Sequence, residues 1–356
     1  MKVLQDLLTL PGNGVFTVHT GKEKKEKLLR SYYGTSDVAK AKPRWAKELE
    51  KLSSDKPWVL GIPSDNGGGI QRGANWGPLV LREKLIQEKD TFTDLGDVRV
   101  IPHLLHDKYL NTETINLCRK ALYGKIKKLP VSPLSIAEAA LEALYKKHPK
   151  ARILGFGGDH STSFPLVKAW LQSRKNIKKC GIVHFDAHTD LLDRRLGIDF
   201  CFATWTFQIL PFLKSKDQLI QIGIRSSGKN KSHWKKTLGV DQIWAKEAIK
   251  AGPEKIARKI IKNFKSQGIE ELYISFDIDA LDQKFASATG TPEPDGLTPP
   301  FCSVLIKLLA REFTITGADL MELAPFVLPE GVQGRDQKGS IDVAADMGRI
   351  LLDTLK

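Results

Sequence analysis

Gly181-Ile-Val-His-Phe-Asp-Ala-His-Thr-Asp190 is the stretch on which the reading of this chain turns. Ile182, Val183 and Phe185 form a short apolar run that predicts a buried strand, and the run empties into Asp186, His188 and Asp190. Side chains alternate in extended backbone, so residues at i, i+2 and i+4 are expected on one face of the strand end. Two carboxylates and an imidazole converging there repel one another and lose hydration. A divalent cation removes both penalties, because carboxylate and imidazole suit Mn, Fe, Ni or Zn. Taken alone, the triplet fits a hydrogen-bonded loop equally well.

Two further stretches repeat the arrangement. Arg152-Ile-Leu-Gly-Phe-Gly-Gly-Asp-His160-Ser161 predicts a strand running into a glycine turn that presents Asp159 and His160. Glu271-Leu-Tyr-Ile-Ser-Phe-Asp277-Ile-Asp279-Ala-Leu-Asp282 ends a third strand with Asp277 and Asp279 on one face. Binding sites of open parallel sheets lie beyond the carboxyl ends of the strands. Three strand ends of this kind therefore aim at one place. His160, Asp186, His188, Asp190, Asp277 and Asp279 are enough ligands for two metals, which together polarise a substrate and lower the pKa of a water.

The surrounding chain can support such a sheet. With 356 residues, 41% of them hydrophobic, it can bury a sizeable core. From Pro57 onward the elements alternate. Strands are expected at Trp58–Ile62, Asp97–Pro102, around Ile153 and His184, and at Gln218–Ile224, Gln242–Trp244, Leu272–Phe276 and Phe313–Leu320. Helices are expected at Pro78–Glu88, Thr112–Lys128, Pro133–Lys147, Ser163–Arg174, Pro253–Ser266, Pro300–Arg311 and Ile341–Leu355. That alternation predicts an α/β fold, a mostly parallel sheet with helices on both faces. A glycine-rich loop, Pro63 to Gly73, follows the first strand. Residues 1–56 read as an extension packed on the core at 57–356, with helices at Lys22–Arg30 and Pro43–Leu52, a loop at Tyr32–Ser36, and little apolar material of their own. Tyr32-Tyr-Gly-Thr35 is a candidate lid over the site.

Composition excludes several function classes. No apolar run reaches transmembrane length and the opening residues lack a signal-peptide layout, so the chain is expected in the cytoplasm, away from membranes. Four scattered cysteines imply no disulfide framework. The net charge of +14 raises nucleic acid as a partner, but the lysine clusters are mixed with glutamate or lie on helix faces. No zinc-finger spacing or aromatic nucleic-acid motif accompanies them, and no specific nucleic-acid binding is expected.

Gly157-Gly-Asp-His-Ser161, Phe185-Asp-Ala-His-Thr-Asp190 and Ser275-Phe-Asp-Ile-Asp279 resemble, in order and spacing, the three signatures of the ureohydrolases. That family contains arginase, agmatinase, guanidinobutyrase and formimidoylglutamase. Arg72–Pro78, Thr289–Leu297 and Gly317–Pro325 add to the likeness, which runs from about Pro57 to the C-terminus and leans toward agmatinases around Pro294. The resemblance implies a single arginase-like domain with three layers, α/β/α. It implies two divalent ions, Mn in most members and Ni in some. His160, Asp186, Asp190 and Asp277 would hold or bridge them, and His188 and Asp279 would complete the second site. Asp190 would also accept the nucleophile's proton and pass it to the leaving amine. Glu322 would pair with the substrate guanidinium, and the chains would assemble as homotrimers or homohexamers.

Departures from the family pattern bear on the substrate. Many arginases and agmatinases carry a histidine in the loop after the second signature. Here Gly197-Ile-Asp-Phe-Cys201-Phe-Ala-Thr-Trp205 places Cys201 near that position, where it is expected to shape the pocket or touch substrate. Gly223-Ile-Arg-Ser-Ser-Gly228 offers serines where arginases have an acid for the α-amino group, which disfavours arginine. Agmatine, guanidinobutyrate or free guanidine would yield urea. The alternatives are a formimino substrate yielding formamide, and a silent member of the fold that only binds. His184 and His233 receive no role.

Overall fold

Among the described residues, nine strands form one sheet in a computed structural model of the protein: β1 (Leu8–Thr9), β2 (Trp58–Ile62), β3 (Thr93–Val98), β4 (Ile153–Gly157), β5 (Cys180–Phe185), β6 (Leu219–Ile224), β7 (Asp241–Trp244), β8 (Glu271–Asp277) and β9 (Thr314–Met321). The structure describes residues 2–16, 21–66, 71–88, 90–124, 128–326 and 335–355. The strand order is β1-β3-β2-β4-β9-β8-β5-β6-β7, and every pairing is parallel except that of β1 with β3. Strands β4, β9, β8 and β5 are therefore neighbours at the middle of the sheet, and their carboxyl ends open on one place.

The central strands read as near-continuous apolar runs because both faces are covered. Along β5, Cys180 and Ile182 enter one core while Val183 and Phe185 enter the other. The helices Pro133–Lys147 and Ser163–Ser173 fill the first core with Ile136, Leu141, Leu144, Val167 and Trp170. Pro253–Ser266, Pro299–Glu312 and Arg335–Thr354 fill the second with Ile260, Phe264, Leu305, Leu309 and Leu351. Proline opens three of these helices, where its missing N–H costs nothing and its φ suits the first turn. At Pro299, Thr298 Oγ1 also accepts from Phe301 N at 3.2 Å.

Four sequence expectations are corrected. The second strand lies at Thr93–Val98, earlier than expected. Fully buried Arg82 pairs with Asp94 and Asp97, at 2.8 and 2.5 Å, which lets the strand carry both acids. The helix from Lys22 continues through Tyr33 instead of breaking at Tyr32, and the next spans Val38–Glu50 with Pro43 inside it. Far from lacking apolar material, the N-terminal residues bury Leu4, Leu7, Leu28, Leu29, Trp45 and Leu49. They add β1 to the sheet edge, and Trp45 Nε1 donates to Leu95 O at 3.1 Å. Finally, Tyr32 donates its hydroxyl to Asp94 at 2.7 Å and does not line the cavity at the strand ends, so it is no lid. Residues 67–70 of the glycine-rich loop, and 125–127 at the end of the expected Thr112–Lys128 helix, lie outside the described residues.

Candidate metal centre

The site begins where β4 ends. A Cβ on Gly158 would stand 1.8 Å from Ser64 O, and one on Gly157 would stand 1.9 Å from Met321 Sδ, so the turn needs both glycines. Asp159 then caps the short turn His160–Thr162, accepting from Ser161 N at 3.0 Å and from Asn66 N at 2.6 Å. This aims His160 inward. Ser275 Oγ donates to Asp319 at 2.8 Å, so it is free to accept from His160 Nε2 at 3.1 Å. The proton is thereby assigned to Nε2, and Nδ1 carries a lone pair.

That lone pair is the most informative atom of the site. His160 Nδ1 is buried without a hydrogen-bond partner, yet lies 2.9 Å from Asp277 Oδ2, 3.1 Å from Asp186 Oδ2 and 3.3 Å from Asp190 Oδ2. Four electron pairs converge on one dry point, and a cation there turns the repulsion into ligation. A second triplet adjoins it. His188 Nδ1 lies 3.0 Å from Asp279 Oδ2 and 3.5 Å from Asp186 Oδ1, while its Nε2 faces Glu293 at 3.4 Å. Asp186 is common to both groups.

The backbone orients the remaining carboxylates. Asp277 Oδ1 accepts from Asp279 N at 2.8 Å, Asp279 Oδ1 from Ala187 N at 3.1 Å, and Asp190 Oδ2 from Trp205 Nε1 at 2.9 Å. All six ligand candidates converge as the sequence predicts, but not by strand alternation alone. β5 stops at Phe185, and residues 186–190 form a loop in which Asp190 takes φ of 50°. Asp279 likewise sits in a single turn after β8.

Electrostatics shows what the cluster lacks. Burial, then Asp186, pushes the Asp190 carboxyl well above its usual range; burial, then Asp279, does the same to Asp277. Burial opposes charge on His160, but the nearby Asp186 and Asp277 carboxylates prevail and raise its pKa. Every one of these shifts draws protons into the site. Two divalent cations against Asp186, Asp190, Asp277 and Asp279 supply the same compensation, four charges against four.

Glu322 stands at the edge of the cluster, 5% exposed, with a left-handed φ of 64°. A non-glycine residue holds that conformation only where its surroundings fix it. Its N–H donates to Gly158 O at 2.9 Å, and its Oε1 accepts from His160 N at 2.8 Å. It lines a cavity of about 370 Å³ together with all six ligand candidates. Cys201 is placed elsewhere: it lines a second cavity with Asn66, Asp159 and Ser161, which shares Arg195 and Phe202 with the first.

His184 is the residue that sequence reasoning missed. It is fully buried, and a directed chain of hydrogen bonds ends on it. Trp244 Nε1 donates to Gln242 Oε1 (2.9 Å), Gln242 Nε2 to Gln221 Oε1 (2.8 Å), and Gln221 Nε2 to His184 Nδ1 (3.0 Å). With Nδ1 accepting, Nε2–H donates to Asp186 Oδ2 at 2.8 Å. Its nearness to His160 and Asp190 makes it look like a ligand, but a protonated Nε2 cannot bind metal. It orients the shared carboxylate instead. The available signal was polarity within apolar strands: His184, Gln221 and Gln242 interrupt β5, β6 and β7 at paired registers.

A doubly wound α/β sheet with two adjoining His/Asp groups at its central strand ends defines a protein built to hold a pair of divalent cations. Comparison with known proteins agrees. The arginase family model matches residues 56–346, and the chain belongs to that family. It is 28% identical over 296 residues to a mitochondrial guanidino acid hydrolase of Homo sapiens, covering 75% of this chain and 70% of that protein. It is 30% identical over 287 residues to an agmatinase of Enterobacter sp. (strain 638), covering 78% and 82%. The formimidoylglutamase of Bacillus subtilis subsp. subtilis str. 168 shares the fold with a TM-score of 0.66 at 20% identity, over 85% of this chain and 89% of that one.

Proposed function

We propose that this protein is a binuclear-metal amidinohydrolase that cleaves a C–N bond of a small guanidino compound, releasing urea and an amine or ammonia. The observation that carries the reading is the unpartnered Nδ1 of His160 facing three carboxylate oxygens beside a second His/Asp triplet. Family membership and the likeness to proteins called agmatinase and guanidino acid hydrolase support it. Mn is the metal of choice, with Ni the alternative. Bound, the pair supplies Lewis acidity and a water acidic enough to act near neutral pH.

The chain's own residues supply the rest. His160, Asp186, Asp190 and Asp277 would hold one ion, and His188 and Asp279 would complete the place of the other, with Asp186 and Asp277 available to both. A guanidinium carbon is a poor electrophile because resonance spreads its charge, so the substrate has to be held in line for attack. Glu322 does this: Oε1 is fixed by His160 N–H, and Oε2 is left for the guanidinium N–H groups. Asp190, steadied by Trp205 Nε1, takes the proton of the attacking water and returns it to the leaving nitrogen. The enzyme acts as a homotrimer or homohexamer in the cytoplasm.

The test is metal content and product. Protein loaded with Mn or Ni is expected to hold close to two ions per chain and to release urea from at least one of agmatine, 4-guanidinobutyrate and guanidine. Formamide from formimino compounds, with no urea, would transfer the site to the other hydrolysis. Two bound ions with neither product would mean a silent site.

A further inference from the structure

The floor and the rim of the 370 Å³ cavity carry opposite charge. Its acids are all at the buried floor: Asp186, Asp190, Asp277, Asp279 and Glu322. Around its mouth stand Arg195, Lys229 and His233, with Ser226 and with Ser227, whose hydroxyl donates to Lys229 O at 2.7 Å. A basic chain could show this by accident, but several of the neighbouring cations are paired off. Arg194 meets Asp193 at 3.4 Å, Lys231 meets Glu247 at 2.6 Å, and Lys235 meets Asp217 and Asp241, both at 3.0 Å. Among the described residues, no carboxylate lies within ion-pair distance of Arg195 or Lys229. Glu293, the acid beside the site that does not line the cavity, faces His188.

Arg195 is also held in place. Its N–H and C=O pair with Ile198 at 2.7 and 2.9 Å across a tight turn, where Leu196 and Gly197 take φ of 50° and 83°. Its guanidinium lies 5.0 Å over the ring of Phe202, which lines the same cavity. The following Asp199 fastens the loop, accepting from Lys108 Nζ and from the Tyr109 hydroxyl.

The geometry points to a carboxylate-binding subsite at this rim, and so to an ω-guanidino carboxylate as the substrate in place of a guanidino amine. The inference rests on the amidinohydrolase reading and narrows it. The guanidinium goes down to Glu322, the methylene chain crosses Leu192, Phe202 and Ala203, and the carboxylate meets the Arg195 fork and Lys229. An ammonium group at the same end would meet two cations and no acid.

The experiment compares two compounds of matched length and opposite end charge, 4-guanidinobutyrate and agmatine, on the metal-loaded enzyme. The acid is expected to have kcat/KM at least about tenfold above the amine, the scale of one charge-assisted hydrogen bond partly open to water. The gap should shrink with added salt. Arg195→Glu is expected to reverse the order, with the acid's loss appearing in KM. Arg195 is exposed, so the fold should survive the change. Calorimetric titration of the metal-loaded protein with 4-aminobutyrate and 1,4-diaminobutane gives a readout apart from turnover, the first binding more tightly. Equal or better hydrolysis of agmatine, or an unchanged acid-to-amine ratio in Arg195→Glu, would overturn the subsite and leave the amidinohydrolase intact. Urea from free guanidine but from neither of these compounds would overturn the subsite alone, and absence of urea from all three with two ions bound would overturn the amidinohydrolase itself, and this inference with it.

Discussion

Gln221→Leu separates what the sheet interior does for the metal centre from what it does for the fold. Gln221 is fully buried and makes three side-chain contacts: it donates to Thr189 O at 2.6 Å and to His184 Nδ1 at 3.0 Å, and accepts from Gln242 Nε2 at 2.8 Å. Leucine fills nearly the same volume, so little cavity forms. It leaves Thr189 O and Gln242 Nε2 without these partners, each at about 1–3 kcal/mol. The metal-free variant is therefore expected to lose roughly 2–5 kcal/mol of unfolding free energy.

The second effect concerns the proton on His184. Without the Gln221 donor, the remaining partner of Nδ1 is the Thr206 hydroxyl at 3.4 Å, which can donate or accept, so the proton on Nε2 is no longer specified. Whenever it moves to Nδ1, Nε2 presents a lone pair to Asp186 Oδ2, the carboxylate common to both groups. Loss of an outer hydrogen bond to a metal ligand typically costs 10–100-fold in affinity, about 1.4–2.7 kcal/mol. Competition for Mn against a fluorescent chelator measures this directly, and urea denaturation of the metal-free protein measures the first effect. A variant that loses the expected stability but binds Mn with wild-type affinity would show the chain from Trp244 to His184 to be packing alone, and would refute the argument.

Other expectations follow from the same geometry. Asp277→Ala should remove at least one of the two ions per chain by elemental analysis, since Asp277 Oδ2 faces His160 Nδ1 at 2.9 Å and the proposed arrangement makes it a shared ligand. Burial, then Asp65, raises the Asp159 carboxyl from 3.8 to about 6. A raised folded value means the folded state holds the proton more tightly, so this stability is present below the unfolded value and is lost as pH rises through about 6. The size is at most about 3 kcal/mol, and the gap in unfolding free energy between wild type and Asp159→Asn, followed across that window, should show it. A chain beginning at Asp55 should keep its substrate preference but melt earlier, because it strips β1 and Trp45 from β3 and uncovers Arg82. Burial raises the Cys201 thiol pKa, and the side chain lies in the adjoining cavity. Cys201→Ala should therefore change turnover by no more than about threefold, without removing a limb of the pH profile.

The metal centre was legible because its parts are local. Each ligand lies at or just beyond the end of an apolar run, so a short window of sequence shows both the strand and its load. Helices opened by proline, such as Pro133–Lys147 and Pro253–Ser266, were legible for the same reason. What escaped depends on partners distant in sequence. Asp94 falls outside the expected strand until Arg82 from the preceding helix pairs with it and with Asp97. Tyr32 looks like a loop residue until Asp94 accepts its hydroxyl. His184 means little without Gln221 and Gln242, which are 37 and 21 residues further along the path yet adjacent across three strands. Left-handed backbone at Asp190 and Glu322 had no sequence signal, since neither is glycine.

Charge balance at the floor also fixes an order of events. Asp186, Asp190, Asp277, Asp279 and Glu322 are five acids around one small volume. One divalent ion leaves the floor three charges short of neutrality, and protons then compete for the same oxygens, as the raised values of Asp190, Asp277 and Glu322 indicate. Two ions leave one uncompensated acid. Glu322 is the natural one, because its Oε1 is tied to the His160 backbone and its position is beside the ligand groups, not within them. A single guanidinium then completes the balance, whereas a neutral urea does not. The product therefore loses the attraction that held the substrate, and hydrolysis itself promotes release.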